Sequence, residues 1–343
     1  MDEQSSPIEA SEVGNETVDN HLKAVEIDGI KLSYLEHGNP NGKAILNLHG
    51  WLGGSAEGNE NLARSFAGEE VDSPGLATLR SNSPEAAEDI SRHVLGLKGK
   101  YRILTPNLPG FGVSDPIEDP TLDHIADQIN KFQKVTSSER AIVFGSSMGG
   151  ILAVKLAARH PEGVDSLVLQ GVMTKPQDMG KLPYLFARFA TFEPITGFLK
   201  RSRLLKPSYS RIVRSSKDFQ LATPEFQKKI LEDISRADSD TATQTLKEIG
   251  KNIQDQIDQI SCPIVVLDGA NGDLVPILKS ADVASSFHKD KPSSDLPKKR
   301  VVFLPVGGPA GQHGHNIVNT FPEGIAGLTD NALESLNSNS SQL

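Results

Sequence analysis

The clearest chemistry in the chain lies in five residues, Gly145-Ser146-Ser147-Met148-Gly149. A serine that attacks a carbonyl must project from a tight turn, and so tight a turn has no room for side chains two positions to either side. Gly145 and Gly149 meet that demand around Ser147, in the pattern G-x-S-x-G. The apolar run 141–144 precedes the string, and residues 151–159 follow it with helical spacing until His160-Pro161 stops them. A hydroxyl placed there sits at a helix N-terminus, where the backbone dipole favours developing negative charge. Ser146 is the neighbouring alternative, but it lacks the symmetric glycines. The plain competing reading is a Ser/Gly-rich turn without chemistry.

The elements that would hold such a turn can be read around it. Residues 25–27 and 31–36 flank Asp28-Gly29 and read as an opening hairpin. Six short apolar runs follow, at 44–48, 101–104, 141–144, 166–169, 263–267 and 300–304. Continuous runs of this kind suit central parallel strands covered on both faces. Helical patterns lie between them, one at 123–135, which implies an α/β fold with a doubly wound, mostly parallel sheet. Two segments break the rhythm. Residues 64–92 are rich in Gly, Ser, Pro and acids and read as a surface insertion. Residues 173–260 separate two strands by more than one helix, contain helical patterns at 225–236 and 241–253, and read as a helical lid over the carboxyl edge of the sheet. The expected organisation is an acidic, Ser-rich disordered tail at 1–22, a core at 23–172 and 261–333, the lid at 173–260, and a second tail at 334–343.

With these residues in view, the chain resembles the α/β-hydrolase superfamily, in the broad group of esterases, lipases, C–C bond hydrolases and related lid-bearing enzymes. His49-Gly50-Trp51 resembles that family's HG turn after the third strand. Leu108-Pro109-Gly110-Phe111-Gly112-Val113-Ser114-Asp115 resembles its P-G-x-G-x-S loop, and Gly314-His315-Asn316 resembles its C-terminal histidine turn. The likeness covers about residues 24–330 and is weakest in the lid and at 64–92. It implies the α/β-hydrolase fold with an inserted lid and a triad in the chain order serine, acid, histidine. His315 is then the base, with His313 as its rival. The acid belongs in the loop 268–276, where the family pattern falls on Gly272. Asp273, one position later, is the choice; Asp268 reads as a turn residue at a strand end, and Asp178 is a distant third. The backbone N–H groups of Met148 and Trp51 are the implied oxyanion hole. Asn107 stands where the family often has Asp, in a loop read as structural. His49 reads as a packed turn residue and His160 as a helix-ending one.

Composition narrows the function classes. A formal net charge of -9 would repel nucleic-acid phosphates, so no nucleic-acid partner is expected. The single cysteine, Cys262, permits no intrachain disulfide and reads as a buried structural thiol. No apolar run reaches membrane-span length, and the N-terminus lacks a basic and apolar leader, so a cytoplasmic protein is expected. No His/Cys/Asp cluster has metal-ligand spacing, and the chemistry needs no metal or cofactor. Residues 182–192 are aromatic-rich in a chain with 5% aromatics; they read as lid core, one face of which can wall a pocket for an apolar acyl or aryl group. Residues 200–217 hold seven Lys/Arg and no acid. These read as a solvated helix face, the alternative being attraction of an anionic substrate or an anionic lipid surface. The expected function is hydrolysis of an ester-like, small-molecule carbonyl substrate through an acyl-enzyme. The alternatives are a C–C bond hydrolase with the same triad and a catalytically idle ligand-binding module on the same fold. The oligomeric state is unknown from sequence.

Overall fold

Asp28 and Gly29 both take positive φ, 54° and 76°, the two left-handed positions of a type I′ turn. They join β1 (Leu22–Ile27) to β2 (Ile30–Gly38) as the expected hairpin, with Ile27 opposite Ile30. The structure is a computed structural model that describes residues 22–51, 55–178, 192–201, 204–215, 219–220, 223–249, 251–269, 284–285, 301–306 and 317–338. After the hairpin come β3 (Lys43–Leu48), α1 (Glu60–Phe66), α2 (Pro74–Asn82), α3 (Pro84–Gly96) and β4 (Tyr101–Pro106). Next are α4 (Leu122–Val135), β5 (Ala141–Ser146), α5 (Met148–Arg159) and β6 (Val164–Gln170). Among the described residues, five helices lie between β6 and the next strand: α6 (Glu193–Arg201), α7 (Leu205–Ser215), α8 (Pro224–Arg236), α9 (Ser239–Ile249) and α10 (Gln254–Ile257). The chain closes with β7 (Ile264–Gly269), β8 (Val301–Val306), α11 (Ile317–Thr320) and α12 (Pro322–Ser338). All six apolar runs are strands.

The eight strands form one sheet in the order β1-β2-β4-β3-β5-β6-β7-β8. Pairing from β4 through β8 is parallel, and only β1 and β2 run against their neighbours. Period-two alternation sorts the strand residues between two cores. Leu46, Val143 and Val266 pack with α4 and α5 on one face. Ile45, Ile142 and Val265 pack with α1, α3 and α12 on the other. Helices on both faces leave no solvated side, which is why these strands read as unbroken apolar runs.

Three expectations change. Residues 64–92 are not a loose surface insertion but most of the helical layer on the second face, with Phe66, Leu76 and Ala87 buried. Their Ser and Pro are helix starts: the Ser73 hydroxyl accepts from Leu76 N at 3.1 Å, and Pro74 and Pro84 open α2 and α3. The layer is bolted to the C-terminal helix, where the buried Glu323 accepts from Ser73 Oγ at 2.6 Å and Ser73 N at 3.3 Å. The tail expected from 334 also begins later, since α12 continues to Ser338 and buries Leu336 beside Leu333. Cys262 is partly exposed against the core rather than enclosed. The aromatic segment 182–191 lies outside the described residues.

Candidate active site

β4 and β5 flank β3 on opposite sides, so the chain reverses its winding there, and the carboxyl ends of these strands open a crevice. Leu48 of β3 stands opposite Gly145 of β5. The two strand ends therefore deliver His49-Gly50-Trp51 and Ser146-Ser147-Met148 to one place.

Ser147 occupies the junction of β5 and α5 with φ 53° and ψ -114°, a conformation costing a non-glycine residue roughly 1–3 kcal/mol. Its amide donates to Gln170 O at 2.8 Å, at the end of the neighbouring β6. The glycines are required by backbone contact. A Cβ at Gly145 would stand 2.3 Å from Gly149 O, and one at Gly149 would stand 2.1 Å from Leu48 O. That closeness seats the first turn of α5 on the end of β3. Met148, the first residue of α5, is fully buried, and its N–H has no intrahelical acceptor, as for every first-turn amide. Across the crevice, a Cβ at Gly50 would lie 3.5 Å from both Ser147 Cβ and Ser146 O. The turn carrying Trp51 thus passes directly beside Ser147.

The His49-Gly50-Trp51 turn is braced from both sides. The His49 ring is fully buried: Nδ1–H donates to Gly50 O at 2.8 Å, and Nε2 accepts from Leu108 N at 3.1 Å. This pair of bonds needs the neutral ring. Burial lowers its pKa to about 4, against the bond to Gly50 and the charge of Glu57, which pull upward. Below it, Asn107 organises the loop through 115. Its Oδ1 accepts from Ala56 N at 2.8 Å, and its Nδ2 donates to Ser33 Oγ at 3.0 Å and Glu57 at 3.2 Å. An Asp here would lose both donations and face Glu57 with like charge, so the amide suits this chain. Ser114 Oγ donates to Asn107 O at 2.8 Å and accepts from Ser33 N at 2.9 Å. The loop is structural, as its sequence suggests.

Trp51 reaches outward. Its Nε1 donates to Ala242 O of α9 at 2.8 Å, and its ring meets Tyr209 of α7 edge-on at 5.3 Å. Asp238 N donates to Gly110 O at 2.8 Å, and Ile253 N donates to Thr174 O at 2.9 Å. The helices between β6 and β7 are thereby tied to the carboxyl ends of β3, β4 and β6.

The structure brings Ser147, Met148 and Trp51 together; His315, its rival His313, and Asp273 lie outside the described residues. Asp268 is a buried β7 residue whose Oδ1 accepts from Gly269 N at 2.8 Å. Asp178 is fully buried and accepts from Thr174 N, Thr174 Oγ1 and Lys175 N at 2.8–3.1 Å, which commits it to holding the chain after β6. His160 closes α5 and pairs with Asp127 at 2.7 Å.

Sequence reasoning passed over Asp233 of α8. It is 3% exposed, and its carboxylate has no more than a weak hydrogen bond from the Ser55 hydroxyl. The available signal was an acid on an apolar stripe, beside Ile230 and Ile234. A cleft of about 230 Å³ lies elsewhere, lined by Glu118, Asp119, Asp240 and Lys247 among others. It is polar and Ser147 is not on its wall. Among the described residues no cluster of His, Cys, Asp and Glu can hold a metal ion, and no helix is long and apolar enough to cross a membrane.

Known proteins agree with this architecture. A family model described as the α/β hydrolase fold matches residues 43–312. A pimeloyl-acyl-carrier-protein methyl ester esterase of Aromatoleum aromaticum is 35% identical over 107 residues, which are 30% of this chain and 40% of that protein. A proline iminopeptidase of Xylella fastidiosa is 31% identical over 149 residues, 42% of this chain and 37% of that protein. The chain therefore spans about two fifths of the length of these relatives. Among solved structures, an esterase from Exiguobacterium antarcticum superposes with a TM-score of 0.59 over 92% of this chain and 98% of that one. At 16% identity that likeness speaks to the fold alone. With the family model spanning the sheet from β3 to β8 and the strand-to-helix turn built as its glycines require, the chain belongs to the α/β-hydrolase fold family.

Proposed function

We propose that this protein is a serine hydrolase that cleaves an ester-like carbonyl substrate through an acyl-enzyme, with Ser147 as nucleophile. The observation that carries this reading is the strained backbone of Ser147, held at a helix N-terminus between two glycines, with the Gly50-Trp51 turn alongside. A strained conformation fixed this firmly suits a side chain held in one aim for chemistry.

In the reaction, His315 takes the Ser147 hydroxyl proton as Oγ bonds to the substrate carbonyl carbon, and Asp273 orients the imidazole and stabilises its charged form. The resemblance of Gly314-His315-Asn316 and of the loop after β7 to the family's pattern supports these two assignments. The Met148 and Trp51 amides stabilise the oxyanion, the first aided by the dipole of α5. Collapse of the intermediate expels the alcohol, protonated by His315, and water then releases the acid by the reverse sequence. The segment 173–260 acts as a lid whose inner helices shape the substrate site; its ties to the strand ends through Trp51, Asp238 and Ile253 support that role. An apolar ester as substrate fits the aromatic stretch 182–192, and the esterase named among the relatives favours the ester bond.

Labelling with a fluorophosphonate probe, followed by peptide mapping, tests the reading. Wild type is expected to carry the label on Ser147 and Ser147→Ala to carry none. Folded wild-type protein that stays unlabelled would overturn it. A panel of p-nitrophenyl esters alongside prolyl amides then separates the two bond types named among the relatives.

A further inference from the structure

We propose that the outer face of α6 and α7 is a docking surface for an anionic lipid bilayer, which would deliver acyl ester substrates to a neighbouring site. Two observations meet on these helices. First, exposed large apolar side chains are few among the described residues, and Phe192, Phe198 and Leu204 cluster there, at 57%, 63% and 48% exposed. Phe192 and Phe198 are the two most exposed of those described. Aromatic side chains left in water at this cost mark an interaction surface. Second, the adjoining stretch 200–217 carries seven Lys/Arg and no acid in a chain of net charge -9. Clustered bases beside aromatic and leucine side chains are what an interfacial helix presents to anionic headgroups and the acyl boundary beneath them.

α7 is built in two faces. Leu205 and Tyr209, four residues apart, are buried, and Tyr209 packs against Trp51 and shares a 3.2 Å hydrogen bond with Thr243. Pro207, Arg211 and Arg214, at i, i+4 and i+7, are exposed. The inner face thus touches the turn beside Ser147 while the outer one offers positive charge. Lys206 donates to Ser235 O at 2.7 Å, while Arg211 and Arg214 are exposed, Arg214 standing 5.9 Å from the Phe219 ring centre. Charge and apolar exposure together favour a bilayer over a nucleic acid or an acidic protein, either of which would engage the bases without the phenylalanines.

Co-sedimentation with vesicles of phosphatidylcholine alone or mixed with phosphatidylserine tests the surface. It is read on the full chain and on Ser147→Ala, so that binding is scored independently of the proposed catalysis. Wild type and Ser147→Ala are both expected to bind the mixed vesicles, to bind neutral ones far less, and to be released as salt screens the charges. Arg211→Glu/Arg214→Glu should lower binding at least about tenfold. Phe198→Ser/Leu204→Ser should lower it on the same vesicles while leaving fluorophosphonate labelling and the unfolding midpoint unchanged, which separates lost docking from lost folding. No binding to mixed vesicles overturns the proposal, as does equal binding to neutral ones. Undiminished binding by either double variant overturns it too, and loss only in the arginine variant points to a non-lipid polyanion.

Discussion

Asp233 allows the sharpest test of how the α8 helix sits on the core. Its carboxylate is buried with no more than a weak hydrogen bond from the Ser55 hydroxyl, and burial raises its pKa to about 6. Lys229, then Ser55, and finally Arg236 draw it down, while the like charge of Glu57 raises it further. An acid whose folded pKa exceeds its unfolded value of 3.8 weakens the fold wherever it is ionised. The penalty is absent well below the unfolded pKa, grows between the two values and is complete above the folded one. A gap of about two pKa units at 1.36 kcal/mol each gives about 3 kcal/mol. Asp233→Asn keeps the shape and removes the charge. The variant should be about 3 kcal/mol more stable than its parent at pH 8, with the difference falling below about 1 kcal/mol at pH 4. Urea unfolding followed by fluorescence of the single tryptophan, Trp51, reads both values. A difference equal at the two pH values, or a variant weaker than its parent at pH 8, would refute the placement of a poorly partnered carboxylate in that interface.

Three other perturbations have definite signs. His49 works in the opposite sense to Asp233: its folded pKa near 4 lies below the usual 6.5, so its share of stability is intact above pH 6.5 and is lost as pH falls toward 4. The loss amounts to about 3 kcal/mol, and His49→Gln should flatten that acid limb in a pH series of urea midpoints. Asn107→Asp removes the donations to Ser33 and Glu57 and should cost about 3 kcal/mol; part of it should return in Asn107→Asp/Glu57→Gln, measured as a double-mutant cycle. Ser73→Ala removes both the cap of α2 and the buried bond to Glu323 and should cost about 2 kcal/mol, whereas a loose insertion at 64–92 would register nothing in thermal unfolding.

Much of the fold was legible because its signals are short in range. The strand at 141–144, the glycines around Ser147 and the helix after them sit within one window, and each constrains the next. The central strands were legible for the same reason, since burial on both sides leaves β3 to β7 mostly apolar, whereas β1 and β2 were read from the turn between them. Residues 64–92 were misread because Ser73, Pro74 and Pro84 have two meanings, loop composition or helix starts. Only the apolar partners Leu76 and Ala87, and the distant Glu323, decide between them. Asp233 was passed over because an acid in a helical pattern is ordinarily on the wet face. Its burial depends on Ser55 and Glu57 from another part of the chain, and no local pattern reports that.

The residues around Ser147 also explain why one three-residue turn matters more than its length suggests. His49 locks the turn to the loop after β4 by accepting from Leu108 N. Gly50 lets the chain pass within contact distance of Ser147. Trp51 extends its ring away from the crevice to Ala242 and Tyr209. Inner support, close approach and outer tether thus belong to consecutive positions: a charged ring at the first or loss of the indole N–H at the third would break a hydrogen bond, while a Cβ at the second would only meet Ser147 at van der Waals distance. Helices α7 and α9 are consequently in direct contact with the residue next to Gly50, through one ring contact and one hydrogen bond. The outer face of α7 is therefore joined to the turn beside Ser147 by a continuous packed path through Tyr209 and Trp51.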